Sequence, residues 1–262
     1  MRLCVMFCAA LMAAVLSLAS PSTIYAAESN PSTEAVPVQQ DWWSQRHAAK
    51  LQEIRDRGKI NLVFIGDSIT QDYEFNGGVP QYNFHDVWNR FYGDRKALNL
   101  GFGGDGTGHV LWRLENGEIS GISPRVAVVL IGTNNTARGG TAEDTLAGIK
   151  AVVSTIHARL PKTKVLLLGI LPSDLWPQKT QIDQTVNGML QAYYQGSSYV
   201  TFLDISYVFL KNGVIDQSMF MDPHAKPPAG AVHPDAFAQA KMAEAIEPAL
   251  ARLMGDKSKV AQ

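Results

Sequence analysis

The chain has 262 residues, 46% hydrophobic and 18% charged, a balance that fits one large globular domain or two small ones and excludes a disordered, collagenous or coiled-coil chain. Its 23 Lys and Arg against 24 Asp and Glu leave a formal charge of -1, so no global field draws it to nucleic acid or to an anionic membrane. Any ligand must be recognised locally.

The first stretch has Arg2, an apolar run over residues 3–18, and small residues around Tyr25-Ala26-Ala27. That is the layout of a secretory signal, with cleavage expected after Ala26, and the run is shorter than the roughly 20 residues of a membrane span. The expectation is an exported protein, periplasmic or secreted, without stable membrane insertion once the signal is removed. Cys4 and Cys8 both fall inside this segment, so the mature chain is expected to hold no disulfide and no Cys-ligated metal. Residues 27–40 are rich in Pro, Ser and Glu with no apolar period and read as a flexible leader. Residues 41–255 read as one domain and 256–262 as a flexible tail.

Within the domain, Trp43, His47, Leu51 and Ile54 recur at helical spacing up to Arg57-Gly58, and residues 60–65 are a short run of strand type. The alternation continues with a helix near 85–92, a strand at 98–102, a helix at 107–114 and a strand at 126–131. A helix at 142–159, a strand at 165–170, a helix at 181–194, a strand at 200–203 and a final helix at 235–253 complete it. Five largely apolar strands alternating with helices predict an α/β fold in which a five-stranded parallel sheet is covered on both faces, three layers in all.

Such sheets bind ligands beyond the carboxyl ends of their strands. There the chain carries Gly66-Asp67-Ser68, then Gly101-Phe102-Gly103-Gly104-Asp105, then Gly132-Thr133-Asn134-Asn135. Ser68, after a tight Gly-Asp turn and before a helix, is in a nucleophile's position, although a lone serine there is more often a helix cap. Gly104 can offer a backbone N–H, Asn134 a side-chain amide and Ser68 its own N–H to an oxygen that becomes negative, the donor set an ester hydrolase needs. His233, in Val232-His233-Pro234-Asp235 at the start of the final helix, is the best-placed base, with His224 its competitor. His47, His85, His109 and His157 lie in helical patterns and read as packed or surface histidines.

Taken together, the block Phe64-Ile65-Gly66-Asp67-Ser68-Ile69-Thr70, the glycine block at 98–105, the segment 109–118 and Ile131-Gly132-Thr133-Asn134-Asn135 resemble the GDSL or SGNH hydrolases. Within them the chain is similar to the catalytic subunits of platelet-activating-factor acetylhydrolase and their bacterial relatives. The resemblance spans Trp42 to about Leu250. It implies a flavodoxin-like SGNH fold, Ser68 as nucleophile, Gly104 and Asn134 as oxyanion donors, His233 as base, and no cofactor; no metal is expected either, because the local cluster Asp222, His224, His233 and Asp235 lacks a regular helical His spacing.

One position departs from the family pattern, which has an Asp three residues before the catalytic His; here Gly230 stands there, and residues are inserted between Asp222 and Val232. Asp222 is therefore the candidate for the acid that orients His233, with Asp235 and a Ser-His dyad without a carboxylate as rivals. The expected substrate is a short-chain ester, acetyl above all, on a small molecule or carbohydrate; Trp112 and Trp176 could stack on a sugar, but Trp112 reads as core, and Trp176 stands in a loop. The alternatives are a lipid or thioester hydrolase of the same superfamily and a non-catalytic carbohydrate-binding protein on the same fold. Oligomeric state is not legible.

Overall fold

The computed structural model describes residues 31–221 and 231–260. The expected signal segment, residues 27–30, Asp222, His224 and Gly230 lie outside the described residues.

In chain order the main elements are α1 (Asp41–Arg57), β1 (Leu62–Gly66), α2 (Ser68–Gln71), α3 (Phe84–Tyr92), β2 (Ala97–Gly101), α4 (Thr107–Arg113), β3 (Val126–Leu130), α5 (Thr133–Ala137), α6 (Ala142–Arg159), β4 (Lys164–Leu168), α7 (Pro177–Tyr194), β5 (Val200–Leu203) and α8 (Ala236–Met254). The five strands form one sheet in the order β2-β1-β3-β4-β5, every neighbouring pair parallel. Sequence had predicted that α/β architecture and the existence of its five strands. A helix was also expected after the Gly-Asp turn and stands there as α2, whereas α5, too brief to show a helical period, was not foreseen. Sequence also started α7 at Gln181, whereas Pro177 opens the helix; a proline fits that first position because its missing N–H would have no partner there.

Strand alternation decides which layer each residue joins. Val63, Ile65, Leu98, Leu100, Ala127, Val129, Val165 and Leu167 pack with Val110 and Leu111 of α4, Ile149 and Val152 of α6 and Val186 of α7. The other face, with Leu62, Phe64, Val126, Val128, Leu166 and Leu168, packs with α3 and α8. There Phe64 anchors a ring cluster with Tyr73, Trp88 and Tyr92 at centroid distances of 4.5–6.0 Å.

Two terminal segments expected to be flexible are held against the domain in their described parts. In the leader, Thr107 Oγ1 donates to the Ser32 carbonyl at 2.7 Å, Asn135 Nδ2 to Ser32 Oγ at 3.0 Å, and Val36 N–H to the Gly108 carbonyl at 3.2 Å. Two glycines inside helices make room: a Cβ on Gly108 would lie 2.5 Å from the Glu34 carbonyl oxygen, and one on Gly148 would lie 2.6 Å from that of Ser32. In the tail, Asp256 pairs with Arg95 at 2.9 Å and Lys259 N–H reaches Glu247 Oε1 at 2.9 Å, while Arg95 and Glu247 form a buried two-pronged pair at 2.7 and 2.8 Å. Polar composition signalled disorder in both places; partners distant in sequence supply the contacts that offset the ordering entropy.

Candidate active site

Three strand ends meet at one edge. Gly66 of β1 is in register with Gly101 of β2 on one side and Leu130 of β3 on the other. The chain then turns from β1 straight into α2, with Asp67 as the N-cap, its carboxylate accepting the Ile69 N–H at 3.0 Å. Asn99 Nδ2 donates to the Thr70 carbonyl at 2.7 Å, Gln239 Nε2 to that of Ile69 at 2.9 Å, and Gln71 Oε1 accepts the Gly103 N–H at 2.6 Å. The short helix is thus tied to β2, to the glycine block and to α8. Glycine is needed at Gly101 because a Cβ there would stand 2.2 Å from the Gln71 backbone nitrogen.

At the first position of α2, Ser68 Oγ lies 2.9 Å from His233 Nε2. Met221 N–H donates to the His233 carbonyl at 2.7 Å, and Phe220 bridges to Pro234, so the chain on either side of the insertion is clasped at the histidine. Burial pushes the His233 imidazole below its ordinary value, which keeps it neutral and able to take a proton. Asp235 does other work: it caps α8, accepting the Ala238 N–H at 2.8 Å. Asp222 follows Met221 directly and is outside the described residues.

The candidate donors Gly104 and Asn134 follow β2 and β3, the two strands that flank β1, which leads into Ser68. Gly104 has a φ of +75°, which favours glycine, and among the described residues its N–H and that of Ser68 reach no protein acceptor, whereas Gly103 and Asp105 both do. Asn134, in the first turn of α5, gives one amide hydrogen to the Asp105 carbonyl at 2.9 Å and retains the other. α5 is braced from behind, where Thr136 Oγ1 donates to Asp183 Oδ1 at 2.7 Å and the buried Lys179 pairs with Asp183 at 2.7 Å.

Sequence reasoning missed the buried charge cluster under the glycine block. Asp105 accepts the Trp43 indole N–H at 2.8 Å and Arg113 Nε at 2.8 Å, and Arg113 also pairs with Glu118, all three ionisable groups being fully buried. Burial pushes Glu118 up to about 7 and raises Asp105. Asp105 and Arg113 were legible only as a turn residue and a helix residue, because the period of a helix does not show which charge it buries. Trp112 packs between Trp43 at 5.3 Å and His47 at 5.1 Å, in line with its reading as a packing residue rather than a sugar-stacking one. His157 stacks on Tyr199 at 3.8 Å, and His109 Nδ1 accepts the Gly106 N–H at 3.1 Å, so both serve packing and local geometry.

A hydroxyl against a neutral imidazole, next to unengaged N–H groups, can form and stabilise a tetrahedral oxyanion from an ester. Among the described residues no group of His, Cys, Asp and Glu could hold a metal ion, and no helix is long and apolar enough to cross a membrane.

The model of the GDSL-like lipase/acylhydrolase family matches residues 64–241. The chain is 37% identical over 182 residues to the human (Homo sapiens) platelet-activating factor acetylhydrolase IB subunit alpha1, covering 68% of this chain and 74% of that protein. Among solved structures, it is similar to a GDSL-like lipase from Bacteroides thetaiotaomicron, with a TM-score of 0.58 and 19% identity, over 80% of this chain and 96% of the other. It is similar also to an acetyl-xylooligosaccharide esterase from Geobacillus, with a TM-score of 0.55 and 16% identity, over 79% of this chain and 100% of the other.

Proposed function

Because the chain belongs to the GDSL-like lipase/acylhydrolase family and is an ester hydrolase, we propose that it is an exported serine esterase that removes short acyl groups, acetyl above all, from carbohydrate esters. The observation that carries the chemistry is the 2.9 Å contact of Ser68 Oγ with His233 Nε2. Ser68 attacks the acyl carbonyl as His233 takes its proton, and the N–H groups of Ser68 and Gly104 with the Asn134 amide hold the oxyanion. His233 then protonates the departing alcohol, and water, activated by the same imidazole, releases the acid and regenerates Ser68.

For the acid that orients His233, the reading keeps Asp222. Its chain neighbour Met221 is hydrogen-bonded to His233, and the Asp235 carboxylate is engaged at a helix start. Acetyl as the acyl group and a carbohydrate as the alcohol are supported by the names of two relatives, an acetylhydrolase and an acetyl-xylooligosaccharide esterase, and by the secretory layout of residues 1–27.

The test is hydrolysis of nitrophenyl acetate, butyrate and octanoate by the mature domain and by Ser68→Ala, His233→Ala, Asn134→Ala and Asp222→Ala. Acetate should be the best substrate. Activity should fall by several orders of magnitude without Ser68 and by roughly 100-fold to 1000-fold without the Asn134 amide. Near-full activity in Ser68→Ala would overturn the mechanism, and a preference for octanoate would move the enzyme to the lipid esters. An Asp222→Ala variant as active as the parent would leave a Ser-His dyad.

A further inference from the structure

The geometry points to a sugar-binding subsite beside the oxyanion donor Gly104, walled by Trp42, Arg138 and the segment 37–40, which takes the alcohol half of the ester. The inference rests on the carbohydrate-ester reading above and deepens it.

The two glycines of the block are bracketed by side chains from different parts of the chain. On one side the Trp42 ring carbon Cη2 comes within 3.9 Å of where a Cβ on Gly103 would stand. On the other, Arg138, just past α5, donates Nη2 to the Gly104 carbonyl at 2.6 Å. Between them lies a cavity of about 390 Å³, within the range of small-molecule sites, whose lining includes Pro37, Gln39, Gln40, Trp42, Gly104 and Arg138. Of its lining, Gly104 belongs to the reacting centre, and since an acetyl group does not need that room, the space is assigned to the alcohol.

The chemistry of the walls selects the kind of alcohol. Consecutive tryptophans at the start of α1 have opposite fates: Trp43 is 1% exposed with its N–H on Asp105, while Trp42 is 43% exposed. The Trp42 indole N–H donates to the Gln40 side chain, and both residues line the cavity. An aromatic face with side-chain amides and a guanidinium at its rim matches a pyranose ring, which offers C–H groups on one face and hydroxyls around its edge.

A second cavity of about 430 Å³ shares Arg138 and His109 with the first and is bounded by Ser32 and Val36 of the leader. With Arg138 and His109 common to both, the two cavities flank the same side chains, and the proposed substrate extends to an acetylated oligosaccharide that occupies both. On this inference the docked leader is also part of the substrate wall.

The experiment compares kcat/KM for an acetylated xylo-oligosaccharide with that for nitrophenyl acetate in the parent protein, Trp42→Ala and Trp42→Phe. The ratio should fall about tenfold in Trp42→Ala, the equivalent of one lost aromatic contact, through a raised KM on the oligosaccharide, and Trp42→Phe should recover most of it. Titration of unacetylated xylohexaose into Ser68→Ala, followed by tryptophan fluorescence, should show binding that is lost when Trp42→Ala is added. An unchanged ratio with undiminished xylohexaose binding would overturn the subsite and leave the carbohydrate-ester reading standing. A parent enzyme that cleaves nitrophenyl acetate but no acetylated oligosaccharide would overturn both.

Discussion

Replacing Arg113 by Met should expose how the charge cluster under the glycine block is balanced. The guanidinium reaches Asp105 at 2.8 Å, the Leu100 and Gly66 carbonyls at 3.2 and 3.3 Å, and Glu118, and lies 4.0 Å from the Phe102 ring centroid. Met keeps much of the stem and removes every one of those hydrogen bonds, stranding the buried Glu118 and leaving Asp105 with the Trp43 N–H but no counterion. Removing one partner of a buried ion pair costs about 3–5 kcal/mol. The cost should also depend on pH. Burial already raises both folded-state pKa values, Glu118 to about 7, and without the guanidinium both rise further while the unfolded values stay ordinary. A group whose folded pKa is raised in this way costs stability progressively as pH climbs from its unfolded to its folded value. For Glu118 that climb ends near pH 7 in the parent, whereas in the variant it continues, at about 1.4 kcal/mol per pH unit for each carboxyl still protonated. Urea unfolding followed by tryptophan fluorescence at pH 6, 7 and 8 should give a deficit that is larger at pH 8 than at pH 7. Adding Asp105→Asn and Glu118→Gln should restore part of it. A deficit below about 1 kcal/mol, or one identical at the three pH values, would refute the account of a shared buried counterion.

Gly101→Ala should cost about 1–3 kcal/mol by overpacking and lower esterase activity by roughly 100-fold, because its Cβ would press on the Gln71 and Thr70 backbone and displace Ser68; parent-like kinetics would contradict this. In the pH profile of kcat/KM the acid limb should have its midpoint below the ordinary imidazole value of 6.5, since burial lowers the His233 pKa and only the neutral form accepts the serine proton; a midpoint above 6.5 would count against it. Burial raises Asp67 from 3.8 to about 7, so the parent should lose up to about 4 kcal/mol as pH rises through that window. An Asp67→Asn variant, which keeps the cap and cannot titrate, should gain on the parent steadily from pH 4 to 7, and a constant offset would exclude the linkage. Deleting residues 27–36 removes at least three hydrogen bonds between its described residues and the domain and should lower stability by about 1–3 kcal/mol in denaturant unfolding; an unchanged midpoint would return the segment to a free leader.

Apolar runs and their spacing sufficed to predict five strands, parallel pairing and the strand ends where Ser68, Gly104 and Asn134 stand, because the period of burial and the punctuation by Gly and Asn are local properties. His233 was legible for the same reason, as a residue at a loop-to-helix junction. What the sequence could not decide is what those positions touch. Asp67, Asn99, Gln71 and Gln239 hold the four residues of α2, yet each is an ordinary polar residue until the sheet brings β1, β2 and α8 together. Trp42 and Trp43 are identical in type and adjacent, and only packing turns one into the buried partner of Asp105 and leaves the other lining a cavity. Composition made residues 31–40 and 256–260 look free; Gly108, Gly148, Arg95 and Glu247, far away in sequence, make them part of the domain. Period and turn chemistry reside in neighbouring residues and can be read along the chain, whereas burial of charge and docking of polar segments depend on partners that only the folded chain assembles.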